Sequence, residues 1–158
     1  MKAHGLNLTT NMTTSNYSRS LSMIKPIMRD PAFLAQKSQP ATINDAAVIT
    51  DLLDTLRANA DRCVGMAANM IGVQKNMIVC QMGPLAAPLV NPVIIKRSGP
   101  YQTEEGCLSL TGQRSTTRYQ TITVNFENQN FQPQQQTFSG WIAQIIQHEI
   151  DHCNGILI

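Results

Sequence analysis

Residues 44–59 carry apolar side chains at helical spacing, and this pattern predicts an amphipathic helix. Its apolar positions are Val48, Ile49, Leu52, Leu53 and Leu56. Charged residues occupy the opposite face, and either Asn44 or Asp45 is suited to cap the N-terminus. We expect the helix to end at about Asn59 and to serve core packing alone.

Two short apolar runs in the middle of the chain predict a short buried strand and, after it, a second extended segment. Residues 77–80 form the first run and residues 93–95 the second, and Pro84 and Pro88 mark a loop between them. Residues 65–72 begin and end with glycine, which indicates a turn-rich segment before the first strand.

Residues 119–127 alternate between apolar and polar side chains, a pattern typical of a half-buried antiparallel strand. The apolar face consists of Ile122, Val124 and Phe126. Residues 128–130 are the predicted turn into a polar strand that ends near Phe138.

Ser139 is suited to cap a final helix that carries Trp141, Ile142, Ile145 and Ile146. Because strands precede this last helix, the predicted fold class is α+β. We expect mixed or antiparallel sheets to pack around the C-terminal helix.

The first 22 residues differ in composition from the rest of the chain. They are rich in Ser, Thr and Asn and contain no acidic residue, which predicts a flexible extension. A transit peptide is the less favoured alternative, since only Lys2 and Arg19 are strongly basic. We expect Met23 to open a single domain over residues 23–158.

Composition narrows the class of protein. The 158 residues carry a formal net charge of +2, with the basic residues scattered, so nucleic acid is not an expected partner. No apolar run approaches the roughly twenty residues that a membrane span needs, so no membrane contact is expected. The four cysteines lie far apart without a Cys-x-x-Cys pair, which indicates free thiols, and we predict a cytoplasmic protein.

The last helix contains the segment His148-Glu149-Ile150-Asp151-His152. His148 and His152 project from one helical face and can bind one metal ion, and Glu149 is placed to move protons beside it. Burying two imidazoles and a carboxylate in an apolar stretch would be costly without a metal. The alternative, two histidines on a solvated helix, is disfavoured by the neighbouring isoleucines.

A catalytic metal commonly has three protein ligands, so a third must come from elsewhere in the chain. Cys107 is the best candidate, because its thiolate is a soft, negatively charged donor suited to zinc or ferrous iron. Gly106 before it permits close approach of the backbone. Taken alone, Cys107 is better explained as a buried packing thiol.

Three segments together resemble the signature motifs of peptide deformylases. Residues 63–70, Cys-Val-Gly-Met-Ala-Ala-Asn-Met, resemble the family's Gly-x-Gly-x-Ala-Ala-x-Gln motif. Residues 105–109, Glu-Gly-Cys-Leu-Ser, resemble the second motif, and residues 148–152 the third. The likeness spans roughly residues 24–158 and extends to Asn91-Pro92, Gln113-Arg114 and Arg118.

This resemblance implies a metal-dependent hydrolase of protein biosynthesis that removes the N-formyl group from formylmethionyl peptides. It implies one divalent metal ion, natively Fe(II) and replaceable by Zn, Ni or Co, held by Cys107, His148 and His152. Glu149 would take the proton of the attacking water and pass it to the leaving amine.

The family stabilises the developing oxyanion partly with the backbone amide after the cysteine, here that of Leu108, and partly with the glutamine of the first motif. Met70 occupies the position of that glutamine, and a thioether cannot donate a hydrogen bond. Loss of one oxyanion donor typically lowers turnover by ~10²–10³. Either Met70 fills the space, or Asn69 or Gln74 brings an amide into the lost role.

The resemblance also implies which residues contact substrate: Val64, Gly65, Met70, Glu105, Gly106 and Ile145. Cys63 replaces the first glycine of its motif and is expected to narrow access. Gln144 is expected near the pocket for the methionine side chain, where the family prefers an apolar residue, or alternatively on the surface. Arg118 is expected to pair with Glu105 beside the metal ligands.

Two other functions stay open on the sequence. One is a catalytically silent paralogue that binds a metal and a peptide or small ligand, which Met70 and Cys63 favour. The other is a general His-Glu-x-x-His peptidase, which the Cys-Leu-Ser segment disfavours. Residues 155–158 are expected to form a short final strand at most, and the chain is expected to be a monomer or a homodimer.

Overall fold

Five antiparallel strands form one sheet in the computed structural model, which describes residues 24–158. The strands are β1 (Gly65–Ala67), β2 (Met77–Met82), β3 (Leu85–Cys107), β4 (Leu110–Glu127) and β5 (Pro133–Ser139). Their order in the sheet follows their order in the chain, and each pairs with the next. The expected α+β class is confirmed, with an antiparallel sheet. The predictions for residues 1–22 and Met23 lie outside the described residues.

Within residues 24–158, three helices accompany the sheet: α1 (Pro31–Leu34), α2 (Ala46–Ala58) and α3 (Gly140–Cys153). Two 3₁₀ turns, Ile43–Asp45 and Ala68–Ile71, precede α2 and follow β1. Helix α3 contacts β1, β2 and β4, so the apolar core lies between this helix and the sheet. No described helix is long and apolar enough to cross a membrane.

The predicted amphipathic helix is confirmed as α2, but its N-terminal cap differs from expectation. Thr42 accepts a hydrogen bond from the backbone N–H of Asn44, and Asp45 accepts one from the backbone N–H of Thr42. This reciprocal pair caps the 3₁₀ turn, and Asp45 makes no side-chain cap to α2 itself. The extra turn therefore moves the capping residue outward to Thr42.

The predicted loop is confirmed at Pro84, which lies in the turn before β3, but it is wrong at Pro88, because β3 starts at Leu85 and runs for 23 residues. Pro88 pairs with Val79 of β2, while β4 does not join β3 until Val90. One edge of β3 is thus unpaired at Pro88, and such an edge tolerates a residue that lacks an N–H.

The predicted strand over residues 119–127 is confirmed as the second half of β4, and the polar strand after it ends at Ser139 as β5. Residues 65–72, predicted to be turn-rich, instead contain β1 and a 3₁₀ turn. Gly72 closes that turn with a positive φ of 81°. Ser139 precedes α3 as expected, but its hydroxyl bonds with that of Thr121 and does not cap the helix.

Helix α3 ends in a glycine turn, and no strand follows it. The backbone N–H of Gly155 donates to the carbonyl of His152, and that of Ile156 donates to the carbonyl of Asp151. Gly155 has a φ of 72°, and a Cβ there would lie 2.5 Å from the Ala35 carbonyl oxygen. This glycine-terminated turn satisfies the last helical carbonyls locally, and residues 155–158 form no strand, within the expectation of a short strand at most.

Candidate metal centre and active-site cavity

Gly65 brings β1 into direct contact with helix α3. A Cβ on this residue would lie 2.6 Å from Ile145 Cγ2 and 3.2 Å from Glu149 Cγ. Any side chain at Gly65 would therefore push the helix away from the sheet. The glycine of the first motif thus sets the distance between β1 and the helix that carries the histidines.

Gln147 fixes the other side of α3. Its side-chain amide donates to the carbonyl of Tyr119 and accepts from the N–H of the same residue, both at 2.9 Å. The amide is buried and pairs with β4 much as a neighbouring strand would. Because Gln147 immediately precedes His148, this contact fixes how helix α3 is turned about its own axis at the candidate ligands.

Three candidate ligand atoms meet where β3 ends against α3. Cys107 Sγ lies 3.2 Å from His152 Nε2, and the two histidine Nε2 atoms lie 3.3 Å apart. All three ligand atoms lie within 4.8 Å of one another. Ligand atoms of a tetrahedral zinc site, with Zn–S of about 2.3 Å and Zn–N of about 2.0–2.1 Å, are roughly 3.3–3.6 Å apart. The cluster therefore fits a single metal ion.

Glu105 selects the tautomer of His148. Its Oε1 atom lies 2.9 Å from His148 Nδ1. Burial alone would raise the pKa of Glu105, but hydrogen bonds from His148, Arg118 and Gln144 outweigh it and lower the pKa to about 2. Since a carboxylate only accepts, Nδ1 carries the proton and Nε2 is left as a donor atom for a metal.

The two histidines hold protons very differently when no metal is bound. Burial lowers the pKa of His148, but hydrogen bonds with Cys107 and Glu105 outweigh it and raise the pKa to about 10. Burial and the charge of His148 lower the pKa of His152 to about 3. At neutral pH the pair therefore carries one positive charge, from a second ring proton on His148, and a metal must displace the proton on Nε2.

Arg118 joins both acidic residues behind the site. Its guanidinium donates to both oxygens of Glu105, the shortest bond being 2.7 Å, and to Asp151 Oδ2 at 2.7 Å. The predicted ion pair with Glu105 is present and buried. Asp151 belongs to the third motif, so Arg118 connects the cysteine-bearing strand to the histidine-bearing helix.

Glu149 is a buried carboxyl group on helix α3. Its side chain is only 4% exposed, and Oε2 makes no hydrogen bond within residues 24–158. Burial is the main cause that raises the pKa of Glu149 to about 7. A carboxyl group with a pKa near neutrality, next to a metal cluster, has the properties of a general base.

A cavity of about 220 Å³ opens on this cluster. All residues predicted to contact substrate line it: Val64, Gly65, Met70, Glu105, Gly106 and Ile145. Cys107, Leu108, His148 and Glu149 also line it. The proposed reacting groups and the predicted substrate-binding residues thus share one space, while their contact with substrate stays a prediction.

The loop that carries the expected oxyanion amide is held by an arginine that the sequence did not reveal. Arg29 donates from its guanidinium to the Leu108 carbonyl at 3.1 Å, across 79 residues of sequence. The backbone N–H of Ser109 donates to Cys107 Sγ at 3.4 Å. Both contacts restrain the turn between β3 and β4, in which Leu108 lies.

Met70 fills the space at the position where the family's motif has glutamine. The residue is 1% exposed, and its sulfur accepts a weak hydrogen bond from the Ala67 N–H at 3.5 Å. Gln74 is bonded to Gln36 and Asn69 to the His152 carbonyl, and neither lines the cavity. The alternative that one of these amides replaces the glutamine is therefore wrong for this conformation.

Cys63 borders the cavity, but its side chain folds back on the main chain. The thiol donates to the Gly65 carbonyl at 2.9 Å. Burial is the main cause that raises the pKa of the thiol to about 12, so it stays neutral. Its expected effect on substrate access stays a prediction.

Comparisons with known proteins agree with this arrangement. The sequence model of the family described as polypeptide deformylase matches residues 24–158. This chain belongs to the polypeptide deformylase family. Its members are metal-dependent hydrolases, so the expected family and enzyme class are confirmed.

Individual relatives support the same assignment. A peptide deformylase of Clostridium beijerinckii is 58% identical over 136 residues, which cover 86% of this chain and 100% of that protein. Peptide deformylase 2 of Clostridium acetobutylicum is 34% identical over 134 residues, covering 82% of this chain and 89% of that protein. The crystal structure of the Thermotoga maritima peptide deformylase matches with a TM-score of 0.77 at 28% identity, covering 85% of this chain and 94% of that chain.

Several residues at the site carry no signal in the sequence. Arg62 and Trp141 line the cavity, and Trp141 remains 61% exposed although it lies on the apolar helix. Tyr101 reaches the site through Gln144. Of the missed residues, only Asp151 lies inside a motif, where the acidic residue next to a ligand could have drawn attention. Arg62 immediately precedes the first motif, Trp141 lies about two helical turns before His148, and Tyr101 comes from β3.

Proposed function

We propose that this chain removes the formyl group from the N-terminal formylmethionine of new polypeptides. The observation that carries the proposal is Glu149, an unpartnered buried carboxylate beside the Cys107, His148 and His152 cluster. A crystal structure of the peptide deformylase of Acinetobacter baumannii, 26% identical with a TM-score of 0.77, is Met-Ala-Ser bound. We infer that a peptide of this kind also occupies the cavity of this chain.

Cys107, His148 and His152 would hold the metal, which when bound supplies a Lewis acid for the formyl carbonyl and makes water more acidic. Glu149 takes a proton as the water oxygen adds to the formyl carbon. It then delivers that proton to the methionine nitrogen as the carbon–nitrogen bond breaks, which releases formate and a free amine. The Leu108 N–H donates to the oxygen that gains negative charge.

We propose ferrous iron as the native metal, with zinc, nickel and cobalt as substitutes. One thiolate and two imidazoles suit all four ions, so the donor set supports a site for this group without selecting one member. Iron follows from the family resemblance. Anaerobic purification followed by elemental analysis identifies the metal that the chain acquires in cells.

A second function is favoured by Met70. Without a side-chain donor at this position, the chain would bind a metal and a formylated peptide without efficient turnover, as a silent paralogue. The cavity and the metal cluster are equally consistent with that activity. Turnover therefore decides between the two functions, because both predict metal binding and peptide binding.

Formate release from formyl-Met-Ala-Ser, measured anaerobically with the nickel-loaded chain, tests the leading proposal. We expect turnover in the wild type and its loss in Glu149→Gln with metal content unchanged. Cys107→Ala is the matched variant for the ligand set, and it is expected to lose the metal. Wild-type protein that binds metal and peptide without releasing formate would favour the silent paralogue.

We further propose that residues 23–158 act as one catalytic domain in the cytoplasm. The free thiols of Cys63, Cys80, Cys107 and Cys153 support a reducing compartment. The chain is proposed to be a monomer or a homodimer, and sedimentation equilibrium of the purified protein distinguishes these two states.

A further inference from the structure

Gln144 places a side-chain amide in the wall of the active-site cavity. Its Nε2 donates to Glu105 Oε2 at 2.9 Å, and its Oε1 accepts from the Tyr101 hydroxyl at 3.2 Å. The residue is half-buried, so this amide is neither a surface group nor part of the apolar core. A hydrogen-bond donor in this wall can bind an acceptor atom of a ligand in the cavity.

Glu105 fixes the orientation of that amide. Its carboxylate accepts bonds from Arg118 and His148 as well as from Gln144. A flipped amide would turn its oxygen toward the carboxylate, which can only accept. The NH₂ group of Gln144 therefore faces Glu105, and one of its two N–H bonds has no partner in residues 24–158.

Gln144 lines the same cavity as Glu149 and Cys107. It precedes His148 by one turn, which corresponds to about 6 Å along the helix axis. With a formyl group at Glu149 and Cys107, the first side chain of the peptide would extend within this cavity, where Gln144 forms part of the wall. Ile145 and Trp141 supply apolar contact there, and Gln144 adds a donor.

We propose that the free N–H of Gln144 donates to the first side chain of the peptide, at the position of the methionine sulfur. The chain would thus accept peptides that begin with formylmethionine sulfoxide, in addition to formylmethionine. A sulfoxide oxygen is a strong acceptor and a thioether a weak one, while norleucine offers none. This inference rests on the proposed function, because it names a substrate of the same site.

A purely structural role for Gln144 makes a different prediction. If the residue only braced Glu105, its replacement would disturb His148 and slow all substrates by the same factor. If Gln144 instead binds the first side chain of the peptide, its replacement changes the ratio of kcat/KM between substrates that differ in that side chain. The ratio of the sulfoxide peptide to the norleucine peptide is therefore the quantity to measure.

The experiment compares formyl-X-Ala-Ser peptides, in which X is methionine, methionine sulfoxide or norleucine, on the nickel-loaded full chain. The variants are Gln144→Leu and, as a matched control, Tyr101→Phe, which loses a bond to Gln144 but keeps the Nε2 donor. One neutral hydrogen bond changes affinity by about fivefold. We expect the sulfoxide-to-norleucine ratio of kcat/KM to fall by about fivefold in Gln144→Leu, and to stay within about twofold of wild type in Tyr101→Phe.

Calorimetric Kd values for the same peptides, with Glu149→Gln in every background, give the same ratio without turnover. A sulfoxide-to-norleucine Kd ratio that rises in Gln144→Leu, because the sulfoxide peptide binds more weakly without the donor, supports the inference even if the wild type releases no formate, a result that would overturn only the proposed function. An unchanged Kd ratio, with all three peptides weakened equally, overturns the inference and leaves Gln144 as a brace for Glu105. Should Gln144→Leu fold poorly, Gln144→Met replaces it, because methionine keeps the length and removes the donor.

Discussion

Glu105 on β3 accepts a hydrogen bond from His148 Nδ1 on α3 at 2.9 Å, so Nε2, which lies 3.3 Å from His152 Nε2, is the atom that can bind a metal. Glu105→Gln should lower metal affinity by about 10–100-fold, since an amide orients the imidazole less strongly than a carboxylate. Competition with a chromophoric chelator measures the affinity. Glu104→Gln is the matched control, because its side chain is exposed and makes none of these bonds. Equal affinities in the two variants would contradict the role given to Glu105.

The close approach of Gly65 to helix α3 predicts that alanine destabilises the protein more at Gly65 than at Gly106. Gly65→Ala should lower the free energy of unfolding by about 1–3 kcal/mol, because its Cβ would press against Ile145. Gly106→Ala should lower the free energy of unfolding by less, since the atom nearest to its added Cβ would be 3.7 Å away. Urea unfolding measures both. A Gly65→Ala protein as stable as Gly106→Ala would show that β1 can move away from the helix.

The pKa of Glu149 predicts how the stability of the metal-free protein depends on pH. Because folding raises this pKa from 4.5 to about 7, the stability that Glu149 contributes is complete below pH 4.5 and is lost as the pH rises to 7. The loss amounts to about 3 kcal/mol at 1.36 kcal/mol per pKa unit. Glu149→Gln should lack this pH-dependent loss. The free energy of unfolding of the variant should therefore increase relative to that of the wild type between pH 4.5 and 7. A constant difference in unfolding free energy between the two proteins would contradict the buried, unpartnered state of Glu149.

The proton on His148 predicts a pH-dependent metal affinity. With its pKa raised to about 10, His148 is protonated at neutral pH in the metal-free protein, and the metal must displace that proton. Zinc affinity should therefore rise by at least about tenfold per pH unit between about pH 6 and 9, which is the slope that displacement of the His148 proton alone gives. Chelator competition at several pH values measures the slope. A flat profile would mean that His148 is already neutral before the metal binds.

Local pattern predicted the parts of the fold that depend on neighbours in sequence. Helix α2 and the alternating half of β4 follow from period and burial, and both are confirmed. The length of β3 could not be predicted, because Pro88 is tolerated only where β4 has not yet joined. The glycine turn at Gly155 likewise depends on contact with Ala35, which the sequence does not reveal.

In the candidate site, too, residues within motifs could be predicted from the sequence, whereas contacts between distant positions could not. Cys107, His148, Glu149 and His152 lie in contiguous motifs, so residue type and spacing were enough to select them. The Gln144 bonds to Glu105 and Tyr101 join residues 39 and 43 positions apart, and only the fold brings them together. For Met70, the sequence indicated the lost donor, and the structure adds that neither Asn69 nor Gln74 replaces it.

The most direct test of the account compares kcat/KM of the iron-loaded wild type and Met70→Gln on formyl-Met-Ala-Ser, under anaerobic conditions and with metal content measured. We expect measurable formate release by the wild type and a rise of ~10²–10³ in Met70→Gln, because the variant restores a side-chain donor to the developing oxyanion. A fully metallated wild type without turnover, together with a Met70→Gln variant that is equally inactive, would contradict the assignment of this cavity as a deformylase site.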